Sequence, residues 1–187
     1  MGKALKGRGI KMLITSDLPR AEETAKIVSK ESGIPIMNTT PDLRTWDPGI
    51  YENSSLKGSD KILRYYVLQH PDERPKGSSE SRNEFARRVT RKMNQLMDIS
   101  IDRDVIIGVL THHWPVELIK EWCAKGRPGD VNKLDWEKIL FGKEDPPGTV
   151  YDMRLSAKGK WAMPVVPPGT NFHPGPVIIR HEQTAKN

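Results

Sequence analysis

The run Val105-Ile-Ile-Gly-Val-Leu110 is the most apolar in the chain. A strand with no polar face is buried on both sides, as happens in a parallel sheet covered by helices. The run stops at Thr111-His112-His113. Helical spacing follows from about Pro115, with Leu118, Ile119, Trp122 and Cys123 inward and Gly126 as the stop. The same order of strand, polar turn and helix occurs near the start. Met12-Leu13-Ile14 ends at Thr15-Ser16-Asp17, and Pro19 suits a first helical turn with Ser16 or Asp17 as cap. Ala21, Thr24, Ala25 and Val28 keep helical spacing to Gly33. A third apolar strand, Val177-Ile-Ile179, runs into Arg180-His181.

The remaining segments fit the same alternation. Pro35–Met37 starts a short strand, and residues 41–60 form a loop around Leu43-Arg-Thr-Trp-Asp47. Ile62, Leu63, Tyr66 and Val67 mark a helix that ends before Pro71, and residues 71–79 connect onward. Phe85, Val89, Met93, Leu96 and Met97 mark an amphipathic helix. Residues 126–148 form an insertion with a short helix near Leu134–Leu140. Val150–Leu155 and Trp161–Val166 read as a hairpin turning at Ala157-Lys-Gly159, and residues 167–176 as a loop. The pattern predicts an α/β fold: three αβα layers with a mostly parallel central sheet. At 187 residues, one domain over 1–187 is expected.

Composition excludes several classes. Cys123 is the one cysteine, so neither an internal disulfide nor a cysteine zinc cage is available. No apolar run approaches a membrane span, and the first residues lack a signal-peptide core. A cytoplasmic protein without membrane contact is expected. The net charge of +6 favours anionic partners. That charge is spread, densest at Lys3, Lys6, Arg8 and Lys11, and no nucleic-acid reading motif accompanies it. The oligomeric state is not legible.

In open α/β sheets, ligands sit beyond the carboxyl ends of strands. If the three apolar strands are neighbours, Arg20, Arg180, His112 and His181 converge on one edge. Such a cluster calls for an anion. Arginines match phosphate oxygens, and a neutral imidazole can attack phosphorus. A carboxyl group is then needed at the leaving group.

These residues resemble a family. Leu13-Ile-Thr-Ser-Asp-Leu-Pro-Arg20-Ala-Glu-Glu-Thr24-Ala25 is similar to a signature of the histidine phosphatase superfamily, the phosphoglycerate mutase-like proteins. Leu43–Glu52 resembles its acidic-aromatic loop, and Gly77-Ser-Ser-Glu80-Ser81, with Phe85 and Arg88-Val89, its proton-donor segment. Val109-Leu-Thr-His112 resembles the strand ending in its second histidine, and Thr149–Val166 its last two strands. The order departs from the family. Its opening Arg-His motif is missing from the start, and Arg180-His181-Glu182-Gln183-Thr184-Ala-Lys-Asn187 stands at the other end. The resemblance thus reads as a circular permutant. It implies that His181 is the nucleophile and becomes phosphohistidine. Arg180, Arg20 and His112 would cradle the phosphoryl oxygens, and Glu80 would donate the proton. Asn187, Thr184 and His113 would contact substrate.

No metal or cofactor is implied, and the partner is a phosphorylated small molecule or phosphoprotein. Two positions that usually carry glycine hold Glu182 and His113. They favour the competing reading, a degenerate phosphate-binding or scaffolding member. Glu84 reads as solvated helix surface, and Trp46 and Asp47 as entrance residues or a packed loop. His70 and His173 are assigned nothing.

Overall fold

A computed structural model describes residues 2–47, 49–51, 59–142, 149–155, 161–162, 165–166 and 176–181. The elements run α1 (Gly2–Leu5), β1 (Ile10–Ser16), α2 (Pro19–Ser32), β2 (Ile36–Thr40), α3 (Ser59–Gln69), α4 (Arg82–Asp102) and β3 (Ile106–Leu110). Then come α5 (His113–Ala124), α6 (Trp136–Phe141), β4 (Val150–Leu155), β5 (Trp161–Ala162), β6 (Val165–Val166) and β7 (Pro176–His181). Short 3-10 turns at Pro41–Leu43, Gly49–Tyr51 and Val131–Lys133 punctuate the loops.

The strands form one sheet in the order β2-β1-β3-β7-β4-β5, with β6 also on β4. β2, β1 and β3 are parallel; β1 and β3 are two of the three apolar runs, joined by the short strand expected from Pro35–Met37. β4 and β7 are parallel to each other, but β7 is antiparallel to β3. β5 and β6 pair antiparallel with β4, as a hairpin requires. The sheet thus has the expected parallel core, with antiparallel pairings added where β7, β5 and β6 join it. The expected hairpin turn at 157–159 and the loop up to residue 175 lie outside the described residues.

Alternate strand residues serve opposite faces. Leu13 of β1 and Leu110 of β3 pack with Leu5, Ala25 and Val28 beneath α1 and α2. Ile14, Ile107 and Val109 pack on the other face with Phe85, Val89 and Met93 of α4 and Val116 and Ile119 of α5. Helices thus cover both faces, giving three layers. At Gly108 a Cβ would come within 2.7 Å of Leu13 Cδ2, so a larger residue there would displace that buried side chain. Each fully buried aliphatic side chain in these clusters is worth about 1.5–3 kcal/mol.

Local signals set most helix ends. Gly33 closes α2 at φ 78°, in the left-handed region. The start of α2 differs from expectation: Leu18 is the N-cap residue and no side chain caps it. Ser16 accepts the Leu18 N–H at 3.3 Å instead, because its hydroxyl belongs to the turn before the helix. α4 starts with a reciprocal cap. Ser81 accepts the Glu84 N–H at 3.2 Å, and Glu84 accepts the Ser81 N–H at 2.7 Å. Glu84 is thus not merely solvated helix surface. A bidentate bond from Arg74, with the Ser81 N–H, pulls its carboxyl down to about 2. Among the described residues, no helix is long and apolar enough to cross a membrane.

Candidate active site

β1 and β3 are adjacent, with Thr15 opposite Leu110, so Ser16 and His112 emerge side by side. α2 and α5 start at the same edge, at Pro19 and His113. Helix N-termini offer backbone N–H groups and partial positive charge to an anion. His112 is the N-cap residue of α5 and is only 6% exposed.

The imidazole is held at both nitrogens. Arg20 Nε donates to His112 Nδ1 at 3.3 Å, and His112 Nε2 lies 2.9 Å from Ser16 Oγ. A guanidinium can only donate. Nδ1 must therefore accept, and the partner set assigns the proton to Nε2, which donates to Ser16. Burial, then the charge of Arg20, push the His112 imidazole down to about 4, against a smaller opposing pull from Asp17. The group is a neutral donor at ordinary pH. Arg20 is exposed and stands against that neutral ring.

A cleft of about 500 Å³ opens beside this pair, lined in part by Arg20, Arg44, Trp46, Asp47, Glu80 and Arg88. Its other charges are matched. Arg44 grips Asp17 through Nε and Nη2 at 2.7 and 2.6 Å. That contact holds the Asp17 carboxyl below its usual range, despite burial. Arg88 grips Glu80 through Nε and Nη2 at 2.9 and 2.5 Å. Arg88 Nη1 also donates to the carbonyls of Pro41, Asp42 and Arg44 at 3.0, 2.9 and 3.2 Å.

Trp46, Asp47 and Gly49 are tied to one another and to the segment before α4. Asp47 accepts the N–H groups of Gly49 and Ser79 at 2.9 and 2.7 Å. Burial of Asp47 acts to raise its carboxyl, but the bonds from Gly49 and Ser79 outweigh it and the net shift is downward. The Trp46 indole donates to the Glu80 carbonyl at 3.4 Å. Trp46 is 5% exposed, a packed loop aromatic that also lines the cleft. Asp47 both lines the cleft and fastens the loop.

A family model, that of the histidine phosphatase superfamily (branch 1), matches residues 1–138. The chain belongs to that superfamily. Membership supports phosphatase- or mutase-type chemistry in general, and the mixed α/β sheet with its parallel core fits the phosphoglycerate mutase-like fold. The matched stretch contains Arg20, Glu80, Arg88 and His112 and ends before β4, so Arg180 and His181 lie beyond it. No curated protein matches the chain.

The structure brings together Arg20, His112 and Glu80 of this superfamily member around the cleft region. It does not bring the β7 terminus there. β7 pairs Pro176 with Leu110 and Ile179 with Ile107, so it runs away from the His112 edge. At about 3.3 Å per residue, the His181 backbone sits roughly 17 Å further along the sheet. The expectation that Arg180 and His181 converge with Arg20 and His112 is therefore corrected. It assumed parallel pairing, and adjacency alone does not set strand direction. Thr184 and Asn187 lie outside the described residues, as do Glu182 and His173. His113 begins α5 and meets Trp114 edge-on at 5.2 Å between ring centroids.

Ser16, Asp17, Arg44 and Arg88 are residues at the candidate site to which the sequence reading gave no part in its chemistry. Each was visible inside a quoted motif. What made them hard to assign is sequence distance: Arg44 meets Asp17 across 27 positions, and His112 meets Ser16 across 96.

Proposed function

We propose that this protein is a metal-independent phosphomonoester phosphatase whose phosphoryl site lies at the Arg20–His112 edge. The observation that carries the reading is a cation held against a buried neutral histidine, at the start of two helices and beside a cleft. An incoming phosphoryl group would take the N–H donors of Arg20 and the α5 start, and would gain most as charge develops on its oxygens. Arginine supplies positive charge there without a metal ion. Glu80 is the carboxylate for proton transfer. The resemblance has it protonate the leaving oxygen and then activate water.

The Arg180-His181 motif after an apolar strand supports His181 as the nucleophile, forming phosphohistidine; that role requires the end of β7 to reach the Arg20–His112 edge, which its antiparallel pairing with β3 does not bring about. The central place of β7 between β3 and β4 supports the circular-permutation reading, since the last strand of the chain occupies an interior position. The direction of β7 supports a second reading: a phosphate-binding member of the fold without turnover.

Hydrolysis of 4-nitrophenyl phosphate in EDTA, comparing the intact protein with His181→Ala, separates the two. Turnover that survives chelation, vanishes in the variant and traps an acid-labile phosphoenzyme is the expected result. Inorganic phosphate binding without turnover would favour the second reading.

A further inference from the structure

We propose that an oxyanion binding at the Arg20–His112 edge takes up a proton from solvent, which lodges on His112 Nδ1 as Arg20 turns its Nε–H from that nitrogen to the anion. The inference rests on the phosphoryl-site reading and adds a proton linkage to it.

The imidazole and the anion compete for one donor. Arg20 Nε donates to His112 Nδ1 at 3.3 Å, and this is the one hydrogen bond its guanidinium makes among the described residues. A guanidinium holds an oxyanion best through two N–H groups at once. In this cleft the pair used is Nε with Nη2, both by Arg44 on Asp17 and by Arg88 on Glu80. Arg20 gripping an anion in the same way gives up Nδ1.

The ring is arranged to gain a proton at that atom. His112 Nε2 lies 2.9 Å from Ser16 Oγ and carries its proton in the neutral and the charged ring alike. Ser16 also accepts the Leu18 N–H at 3.3 Å, which fixes its place in the turn. Only Nδ1 changes. With Arg20 Nε against it, Nδ1 stays bare, because two N–H groups cannot share one bond. Once Arg20 has turned, a proton on Nδ1 offers the anion a further donor.

Charge decides when that proton is held. Burial, then Arg20 from α2, keep the ring neutral before an anion arrives. The start of α5, where His112 is the N-cap, also disfavours a cation. Asp17 from the turn after β1 pulls the other way more weakly, and Arg44 from the loop after β2 grips that carboxylate. His113, next along α5, is the neighbouring imidazole. A dianion at the edge reverses the balance, since an opposite charge within about 4–6 Å favours the charged form.

Sulfate is the probe, because it stays a dianion across the range in which the ring responds. Calorimetry in buffers of different ionisation enthalpy should show about one proton taken up per sulfate at about pH 6. The sulfate Kd should rise about tenfold from about pH 5 to about pH 6. His112→Gln should abolish both effects, and His113→Asn should keep them. Histidine nitrogen NMR of the wild type reads the same event without a variant: on sulfate addition, one ring with a bare Nδ1 becomes protonated at both nitrogens. Sulfate binding that needs Arg20 yet takes up no proton overturns the proposal and leaves the phosphoryl site standing. Uptake that survives in folded His112→Gln does the same. No sulfate binding, or equal binding by Arg20→Ala, overturns the site reading and this inference with it.

Discussion

The two sides of the cleft treat charge in opposite ways. On one side, Asp17–Arg44 and Glu80–Arg88 are bidentate pairs, each cation met by a carboxylate. On the other, Arg20 stands against His112, a buried ring that stays neutral. The paired side has its electrostatics satisfied and acts as a wall. The Arg20 side has a cation with no carboxylate in its described hydrogen bonds, next to two helix starts, and an anion arriving there completes the arrangement. Within one cleft, the proposed binding position is the place where the described side chains leave their charge least compensated.

The largest effect should come from that side. Arg20→Ala is expected to lower kcat/KM for 4-nitrophenyl phosphate by about 10²–10³-fold, the scale of a lost transition-state donor. An effect under tenfold would erase the contrast between the two sides. Next is the pH dependence of stability. The His112 imidazole titrates lower in the folded chain, at about 4 against an ordinary 6.5. Its neutral form is the one the fold accepts, so this stability is whole above pH 6.5 and is lost as pH falls toward 4. The amount is up to about 3 kcal/mol. Urea titrations across that window should show a steeper loss in wild type than in His112→Gln, and equal slopes would mean that the buried ring is not the responsible group.

Smaller effects test the paired side. Ser81→Ala removes the cap on which the helix carrying Arg88 begins, and should cost about 1 kcal/mol by chemical denaturation. Asp17→Asn releases Arg44 from a partly exposed pair, and should change stability by less than about 1 kcal/mol. It should also tighten inhibition by inorganic phosphate, because a second guanidinium on the cleft becomes available. Weaker inhibition would show that Asp17 supports the site through His112 instead.

Much of this was legible from spacing. β1, α2, α4, β3 and α5 follow from apolar periodicity bounded by Gly33, Pro19 and Gly126, since burial pattern and breakers are properties of consecutive residues. Strand ends at Ser16 and His112 marked half the site, because polar residues after apolar strands emerge at a sheet edge. The other half was not legible. Glu80 stood out only through resemblance, and its pairing with Arg88 depends on how the 41–47 loop lies against α4. Glu84 was misjudged because a surface position and a capping position share the same spacing.

The sequence by itself determined the alternation of strands and helices, the neutralising demand of its strand-end arginine, and the motifs that place the chain in its superfamily. These are local: they need only the chemistry and order of neighbouring residues. Tertiary structure decided which cations are paired and which way β7 runs. Pairing joins residues dozens of positions apart, and an apolar strand buries equally well in either direction. Only the assembled sheet chooses the end at which the Arg180-His181 backbone emerges.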